Sequence, residues 1–183
     1  MNPIDIRTQR LRLRPPEHTD AEAVTALMSE KDISWNLGRA PYPYALHDAV
    51  DWIAQTAKAC TEGTEYSLVI ERAGGVIGSC GVSLHFGQWE LGYWIGKPYW
   101  GNGYVTEAAR AVMDWATNAL NADKFMAGHY TDNAASGAVL KKLGFKPVGE
   151  VSWHAKARGT KVPATRYIYG DASAEIALNW HTH

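Results

Sequence analysis

A strand-like run, a glycine-containing turn and an amphipathic helix follow one another without interruption over residues 90–116, ELGYWIGKPYWGNGYVTEAARAVMDWA. In the helical part, the apolar residues Val105, Ala109 and Val112 recur at helical spacing. A helix that begins directly after a tight turn presents unpaired backbone N–H groups and the positive end of its dipole there. The segment therefore predicts a βαβ crossover whose turn binds an anion.

Two glycines, Gly101 and Gly103, lie in this turn. Glycine adopts backbone angles that are closed to other residues and leaves no side chain between the amides and an anion. By itself, a Gly-x-Gly turn before a helix fits a purely structural turn as well as it fits a phosphate site. The turn lacks both the lysine and hydroxyl pattern of a P-loop and a full dinucleotide fingerprint, which disfavours ATP and NAD as ligands.

Hydrophobic periodicity predicts further elements on either side of this segment. The predicted strands are residues 10–14, 66–71, 76–86, 89–95, 124–130, 146–153 and 163–169. The first predicted helix runs through Val24 and Met28 and opens with a capping box at Thr19 and Glu22. The other predicted helices are residues 49–60, 103–120 and 133–143, and the last of them ends at Gly144. Residues 29–44 are predicted to form a long ordered loop. The pattern indicates an α+β fold.

Composition limits the classes of function. A chain of 183 residues with 46% hydrophobic and 20% charged residues is typical of one compact domain, so we expect residues 1–183 to form a single unit. The formal net charge of −1 favours neither nucleic acid nor an anionic membrane as a partner. Cys60 and Cys80 lie in apolar-periodic segments, which favours reduced, buried thiols. With neither a signal-like start nor a membrane-length apolar run, a cytoplasmic location is expected.

A metal site is not expected. The seven histidines are dispersed and form neither an HExxH motif nor a Cys/His ligand spacing. His181 and His183 have the character of a terminal tail.

The segment Trp100-Gly101-Asn102-Gly103-Tyr104-Val105 resembles motif A of the GNAT acetyltransferases, which has the pattern Gln/Arg-x-x-Gly-x-Gly/Ala. Trp100 and Val105 depart from that pattern. The chain resembles in particular the RimJ/RimL branch, whose members acetylate the N-termini of ribosomal proteins. The likeness extends over most of the chain through RLRLRP, PYPYALHDAVDWI, TEAAR and DNAASGAVLKKLGF.

This resemblance implies a GNAT fold, in which a mixed, mostly antiparallel sheet carries a central splayed parallel pair and is flanked by helices. It also implies acetyl-CoA as co-substrate and a direct transfer of the acetyl group to an amine. The residues that the resemblance assigns to coenzyme A are Trp94, Ile95, Gly101, Asn102, Gly103, Tyr104, Val105, Thr106 and Asn133. Tyr93 also borders the predicted splay, where an ordinary core role fits it at least as well.

The resemblance also suggests residues for the chemistry. Asn133 and Ser136 match the Asn-x-x-Ser of the branch, with the serine hydroxyl proposed to protonate the departing thiolate. Asn133 fits a helix N-cap equally well, and Ser136 fits a first-turn serine bonded to the local backbone. Glu90, which alternates onto the strand face of Gly92, is the candidate base, although a solvated or salt-bridged side chain is as consistent with the sequence.

Glu107, in the first turn of the anion-binding helix, fits a role at the helix dipole better than one in catalysis. Acceptor selection is expected from residues 35–44 and 153–161, the least regular parts of the chain. Their basic and ring side chains include Trp35, Arg39, Tyr44, Trp153, His154, Lys156, Arg158 and Lys161. For residues 153–161, a merely solvated basic hairpin is an equal alternative.

The resemblance implies an acceptor that is either a protein N-terminus or a small-molecule amine, and we expect a monomer or a homodimer. A function of a different class is a non-catalytic acyl-CoA-binding module, which would keep the glycine turn but need neither Ser136 nor Glu90.

Overall fold

A computed structural model describes residues 4–179, which form an eight-stranded sheet flanked by helices. The strands are β1 (Ile6–Arg7), β2 (Arg12–Arg14), β3 (Glu65–Arg72), β4 (Gly75–His85), β5 (Gln88–Ile95), β6 (Phe125–Tyr130), β7 (Lys146–Ala155) and β8 (Thr160–Tyr169). The helices are α1 (Ala21–Met28), α2 (Lys31–Ser34), α3 (Leu46–Glu62), α4 (Tyr104–Leu120), α5 (Ala134–Lys142) and α6 (Ala174–Asn179).

The sheet has the strand order β1-β2-β3-β4-β5-β6-β8-β7. Neighbouring strands are antiparallel except β5 and β6, which are parallel and joined by the α4 crossover. Their shared register consists of two pairs, Trp89 with Phe125 and Glu90 with Met126, although both strands continue beyond them. The strands therefore separate towards their carboxyl ends, which confirms the predicted α+β fold with a splayed parallel pair.

The two faces of the sheet bury different helices. Alternation along β5 sends Leu91 into the core under α4 and Trp94 against the cluster formed by α1 and α3. The apolar stripe of α4 covers the first face through side chains such as Val112, which is fully buried. Each buried aliphatic side chain of this size contributes about 1.5–3 kcal/mol. The splay consequently lies between two helical layers.

The start of α1 differs from the prediction. A 3₁₀ turn over His18–Asp20 precedes the helix. There the carboxylate of Asp20 accepts the Glu17 N–H at 2.7 Å and is held by Arg14 at 2.8 and 2.9 Å. The capping box predicted at Thr19 and Glu22 is therefore wrong, because the acidic partner of the turn stands two residues earlier.

Two short helices were not predicted from the sequence. One turn, α2, lies within the loop predicted at residues 29–44, and its buried Ser34 hydroxyl donates to the Met28 carbonyl at 2.6 Å. A single turn is too short to display helical periodicity. The six-residue helix α6 begins after Ser173, whose hydroxyl accepts the Ile176 N–H at 3.3 Å. His181 and His183 lie outside the described residues.

Candidate active site

A cleft of about 1220 Å³ opens where β5 and β6 separate. Ten of the eleven residues assigned from the sequence to catalysis or to coenzyme A line it, which brings the predicted anion turn and the predicted chemistry together in one cavity. These residues are Glu90, Trp94, Ile95, Gly101, Gly103, Tyr104, Val105, Thr106, Asn133 and Ser136. Asn102 instead stabilises the turn from within, since its side-chain amide donates to the carbonyls of Tyr99 and Trp100 at 3.1 and 2.9 Å.

The anion turn has the backbone that the sequence predicted. Gly101 and Gly103 both have φ +76°, in the left-handed region that side chains strain to adopt. The first hydrogen bond of α4 runs from the Glu107 N–H to the Gly103 carbonyl at 3.1 Å. The N–H groups of Tyr104, Val105 and Thr106 precede it and have no helical partner. They stand at the positive end of a 17-residue helix, where a phosphate is stabilised.

Arg10 stabilises this turn from outside the cleft. Its guanidinium donates to the Asn102 carbonyl at 3.0 Å and to the Glu107 carboxylate at 2.6 Å, and it lies 4.6 Å from the centre of the Tyr104 ring. Glu107 also accepts the Thr8 hydroxyl at 2.6 Å. Burial raises the pKa of Glu107, but the hydrogen bonds from Thr8 and Arg10 hold it below the usual range. Glu107 thus serves the turn as an ionised anchor.

The candidate proton donor lies across the splay from the turn. Asn133 caps α5, since its side-chain oxygen accepts the Ser136 N–H at 3.2 Å. The hydroxyl of Ser136 lies 2.9 Å from the hydroxyl of Tyr93, which also donates to the Ser136 carbonyl at 3.2 Å. Burial raises the pKa of Tyr93, so its hydroxyl stays protonated. The capping role that the sequence allowed for Asn133 is thus observed.

Glu90 lies at the base of the cleft in an ion pair. Its carboxylate accepts from Arg166 at 2.5 Å and lies 3.6 Å from the ring of His85. The Arg166 side chain is fully buried, and its guanidinium lies 4.2 Å from the centre of the Trp153 ring. The salt-bridged alternative for Glu90 is therefore the observed geometry.

The floor beside Glu90 is built from small residues. The strand registers place Ser67, Gly81 and Gly92 side by side across β3, β4 and β5. A Cβ atom added at Gly92 would meet nothing within 4 Å, so the space above this strand is open. The missing side chain at Gly92 therefore leaves room for an acceptor on this strand.

The two irregular segments predicted to select the acceptor contribute unequally. Arg39, Tyr44, Trp153 and Lys156 line the cleft. The side chain of Arg158 is instead buried in contacts with Trp35, Asn36 and Asp132 behind the cleft wall. His154 and Lys161 are an exposed register pair on the β7–β8 hairpin.

Sequence reasoning missed the structural roles of three arginines, Arg10, Arg158 and Arg166. The sequence places Arg10 in the predicted strand 10–14 without a role in the site, and it names Arg158 only as one of several residues expected to select the acceptor. Arg166 offered a usable signal, because a charged residue in the middle of a predicted apolar strand needs a buried partner. The sequence does not reveal which partner, since Glu90 is remote along the chain.

Within residues 4–179, we find no grouping of three or more His, Cys, Asp or Glu side chains arranged to hold a metal ion. In the same part of the chain, no helix combines the length and apolar character needed to cross a bilayer.

The sequence profile of the family described as acetyltransferase (GNAT) domain matches residues 10–146, which include the anion turn, Glu90 and Ser136. The chain belongs to the GNAT acetyltransferase family. Its predicted identity as an acetyl-CoA-dependent acetyltransferase is thereby confirmed at the level of the family.

Individual relatives agree with this assignment. "Uncharacterized N-acetyltransferase p20" of Bacillus licheniformis is 28% identical over 175 residues, which cover 93% of this chain and 97% of that protein. RimL, a ribosomal L7/L12 alpha-N-protein acetyltransferase solved with coenzyme A, superposes with a TM-score of 0.82 at 17% identity, covering 91% of this chain and 98% of RimL. RimJ of Mycobacterium smegmatis, solved with a CoA-disulfide, gives a TM-score of 0.82 at 19% identity, covering 93% and 88%. These structures share the fold of this chain.

Proposed function

We propose that this GNAT acetyltransferase moves the acetyl group of acetyl-CoA directly onto a primary amine, and that the acceptor is the α-amine of a protein or peptide N-terminus. The observation that carries the proposal is the continuity of one cleft. It connects the N–H groups at the start of α4 with the Tyr93–Ser136 hydroxyl pair and the open floor at Gly92.

The anion turn supports the cofactor half of the proposal. The pyrophosphate of coenzyme A would accept hydrogen bonds from the N–H groups of Tyr104, Val105 and Thr106. These are backbone groups, so the departures at Trp100 and Val105 from the family pattern leave the donors in place. The pantetheine arm would then extend along β5 beside Trp94 and Ile95, whose strand has no parallel partner beyond Glu90.

Bound acetyl-CoA supplies an activated acetyl group as a thioester, to which an amine adds without an enzyme-bound acyl group. Ser136 holds a hydroxyl that would give its proton to the departing thiolate and recover one from water, which carries away the proton of the amine. The Tyr93 hydroxyl lies 2.9 Å from that oxygen and stays protonated. It would therefore hold the serine hydroxyl in place by a hydrogen bond while the proton moves to the thiolate. In this mechanism Asn133 fixes the serine by capping its helix.

The surroundings of Glu90 favour an α-amine over a lysine side chain. An α-amine titrates near ~8 and a lysine amine near ~10.4, so the α-amine needs much less help to lose its proton. Glu90 is already committed to Arg166 at 2.5 Å. We therefore propose that Glu90 holds Arg166 at the acceptor end of the cleft, and that the proton of the amine leaves through water.

The proposal is tested first by binding and then by turnover. Acetyl-CoA should raise the melting temperature while ATP and NAD should not, because only a ligand of the folded state stabilises it. An equal shift with ATP would reject the cofactor assignment.

Thiol release from acetyl-CoA is then measured with short peptides, with the same peptides blocked at the N-terminus, and with small amines. Release that depends on a free N-terminus supports the proposal. Release with small amines alone rejects the protein acceptor. Binding without release to any acceptor would favour the non-catalytic acyl-CoA-binding module.

A further inference from the structure

Arg158 lies behind the wall of the cleft, between three segments that are distant in sequence. Its Nε donates to the Trp35 carbonyl at 2.8 Å, and its Nη2 donates to the side chain of Asn36 at 3.3 Å. The same guanidinium makes a two-pronged contact with Asp132, at 2.6 and 3.1 Å. The side chain is only 8% exposed.

Two aromatic rings lie close to this guanidinium. It lies 4.8 Å from the centre of the Tyr130 ring and 5.5 Å from that of Trp35. Beside it, the Lys156 N–H donates to the Gly38 carbonyl at 3.1 Å, which docks the turn after β7 onto the segment before α3. The hydrogen bonds from Arg158 also hold the pKa of Asp132 below its usual range, so the carboxylate stays ionised.

Two of the three hydrogen-bonding partners of Arg158 line the cleft. Asn36 and Asp132 both line it, whereas Arg158 itself does not. Asp132 directly precedes Asn133, whose side chain caps α5 and accepts the Ser136 N–H. One guanidinium therefore connects the wall at Asn36 to the helix that carries the candidate proton donor.

We infer that Arg158 is a positioning residue for the acceptor, which fixes the distance between the segment 35–38 and the start of α5. The inference rests on the proposed function for which end of the cleft receives the amine. Arginine suits the role because its planar fork donates in several directions at once, which the point charge of lysine does not reproduce.

Arg158→Met, which keeps most of the apolar stem, is compared with Arg158→Lys, which keeps the charge. Both should lower kcat/KM for a peptide acceptor about tenfold or more, because small displacements of a bound reactant are expensive in rate. The dissociation constant of coenzyme A should change much less, since the proposed pyrophosphate donors belong to the start of α4 and the hydrogen-bonding partners of Arg158 do not. Arg12→Met is the control. Arg12 also forms ion pairs, with Asp5 and Glu71, but it lies near the opposite edge of the sheet.

A second measurement does not depend on turnover. In the protein saturated with coenzyme A, amide hydrogen exchange should increase in segments 35–38 and 131–136 in both Arg158 variants and stay unchanged in Arg12→Met. Unchanged exchange in these segments would overturn the inference. A normal kcat/KM for the peptide acceptor in Arg158→Met would do so as well, and full rescue by Arg158→Lys would reject the role of the fork.

The two levels of proposal fail in different ways. If the wild-type protein acetylates no amine, the proposed function fails, while the exchange experiment still decides whether Arg158 joins the two segments. If the wild type turns over and Arg158→Met matches it, the inference fails and the proposed function stands.

Discussion

The hydroxyl of Tyr93 on β5 lies 2.9 Å from the hydroxyl of Ser136 on the first turn of α5, so the two sides of the splay are joined across the cleft. The sequence allowed Tyr93 as an ordinary core residue and Ser136 as a serine bonded to its own helix. Instead the Ser136 hydroxyl pairs with a side chain from another element. This cross-splay contact makes the serine a testable proton donor.

Ser136→Ala should reduce kcat by roughly 10²-fold, the scale of positioned acid catalysis, and leave acetyl-CoA affinity intact. Tyr93→Phe keeps the ring and the serine, so it should reduce kcat less. Steady-state kinetics with an acceptor that the wild type uses, together with melting curves, measure both effects. A near-normal kcat in Ser136→Ala would remove the serine from the mechanism and assign protonation of the thiolate to water or another group.

Gly103→Val should abolish most of the affinity for coenzyme A while lowering stability only by the strain of a positive φ, about 1–3 kcal/mol. Gly159→Val is the matched control, because Gly159 has φ +64° and a Cβ there meets nothing within 4 Å. Calorimetric titration should show weak binding only for the Gly103 variant. Normal binding by Gly103→Val would mean that the anion turn lies elsewhere.

Asn133→Ala should lower the free energy of unfolding by about 1 kcal/mol, since it removes the cap of α5. It should also lower kcat, because the Ser136 N–H loses its acceptor. Asn133→Ser restores a capping oxygen with a shorter side chain. If Asn133→Ser recovers stability but not kcat, Asn133 does more than cap the helix. Recovery of both quantities assigns it the capping role alone.

Glu90→Gln should lower the free energy of unfolding by about 3–5 kcal/mol, because it removes the negative charge beside the fully buried Arg166. The double change Glu90→Gln with Arg166→Met should recover most of that loss, as measured by chemical denaturation. With a peptide acceptor, kcat/KM should still rise towards pH ~8 in Glu90→Gln, since the acceptor amine sets that limb. Disappearance of the limb would identify Glu90 as the proton acceptor.

Burial lowers the pKa of His85 below its ordinary value of 6.5, and the opposing effect of Glu90 is smaller. The unfolded chain therefore takes up this proton at higher pH than the folded protein does. As the pH falls through about 6.5, the free energy of unfolding should decrease, and the decrease should end below the folded pKa. His85→Gln should flatten the melting temperature between pH 7.5 and 5.5, whereas His47→Gln, at an exposed position, should not. Equal slopes of melting temperature against pH in both variants would show that His85 is not the group responsible.

Local patterns predicted most of the sheet, α3, α4 and the helix that Asn133 caps, because each contains a long enough apolar repeat. Positive φ at Gly101 and Gly103 was also predictable, since a turn leading directly into a helix needs that backbone. The convergence of this turn with Asn133 and Ser136 on one cleft followed from the family resemblance rather than from spacing.

The remaining features depend on partners distant in sequence. Arg158 meets Asp132 and Asn36, and Arg166 meets Glu90, through contacts that local periodicity does not encode. The capping pair at the first helical turn lies earlier than predicted, because Asp20 is held by a hydrogen bond from Arg14 on the preceding strand. In each case an arginine on one element decides the geometry of another.

The two-pair junction between β5 and β6 also affects the rates of folding and unfolding. The meander β3–β5 and the hairpin β7–β8 pair strands that are neighbours in sequence, and such local pairings form early in folding. The parallel ladder of Trp89 with Phe125 and Glu90 with Met126 requires closure around the whole of α4, so we expect it to form later than these local pairs. Coenzyme A bound at this junction would stabilise contacts that form after the rate-limiting barrier. Its main effect would then be a longer lifetime of the folded protein, with the rate of refolding nearly unchanged.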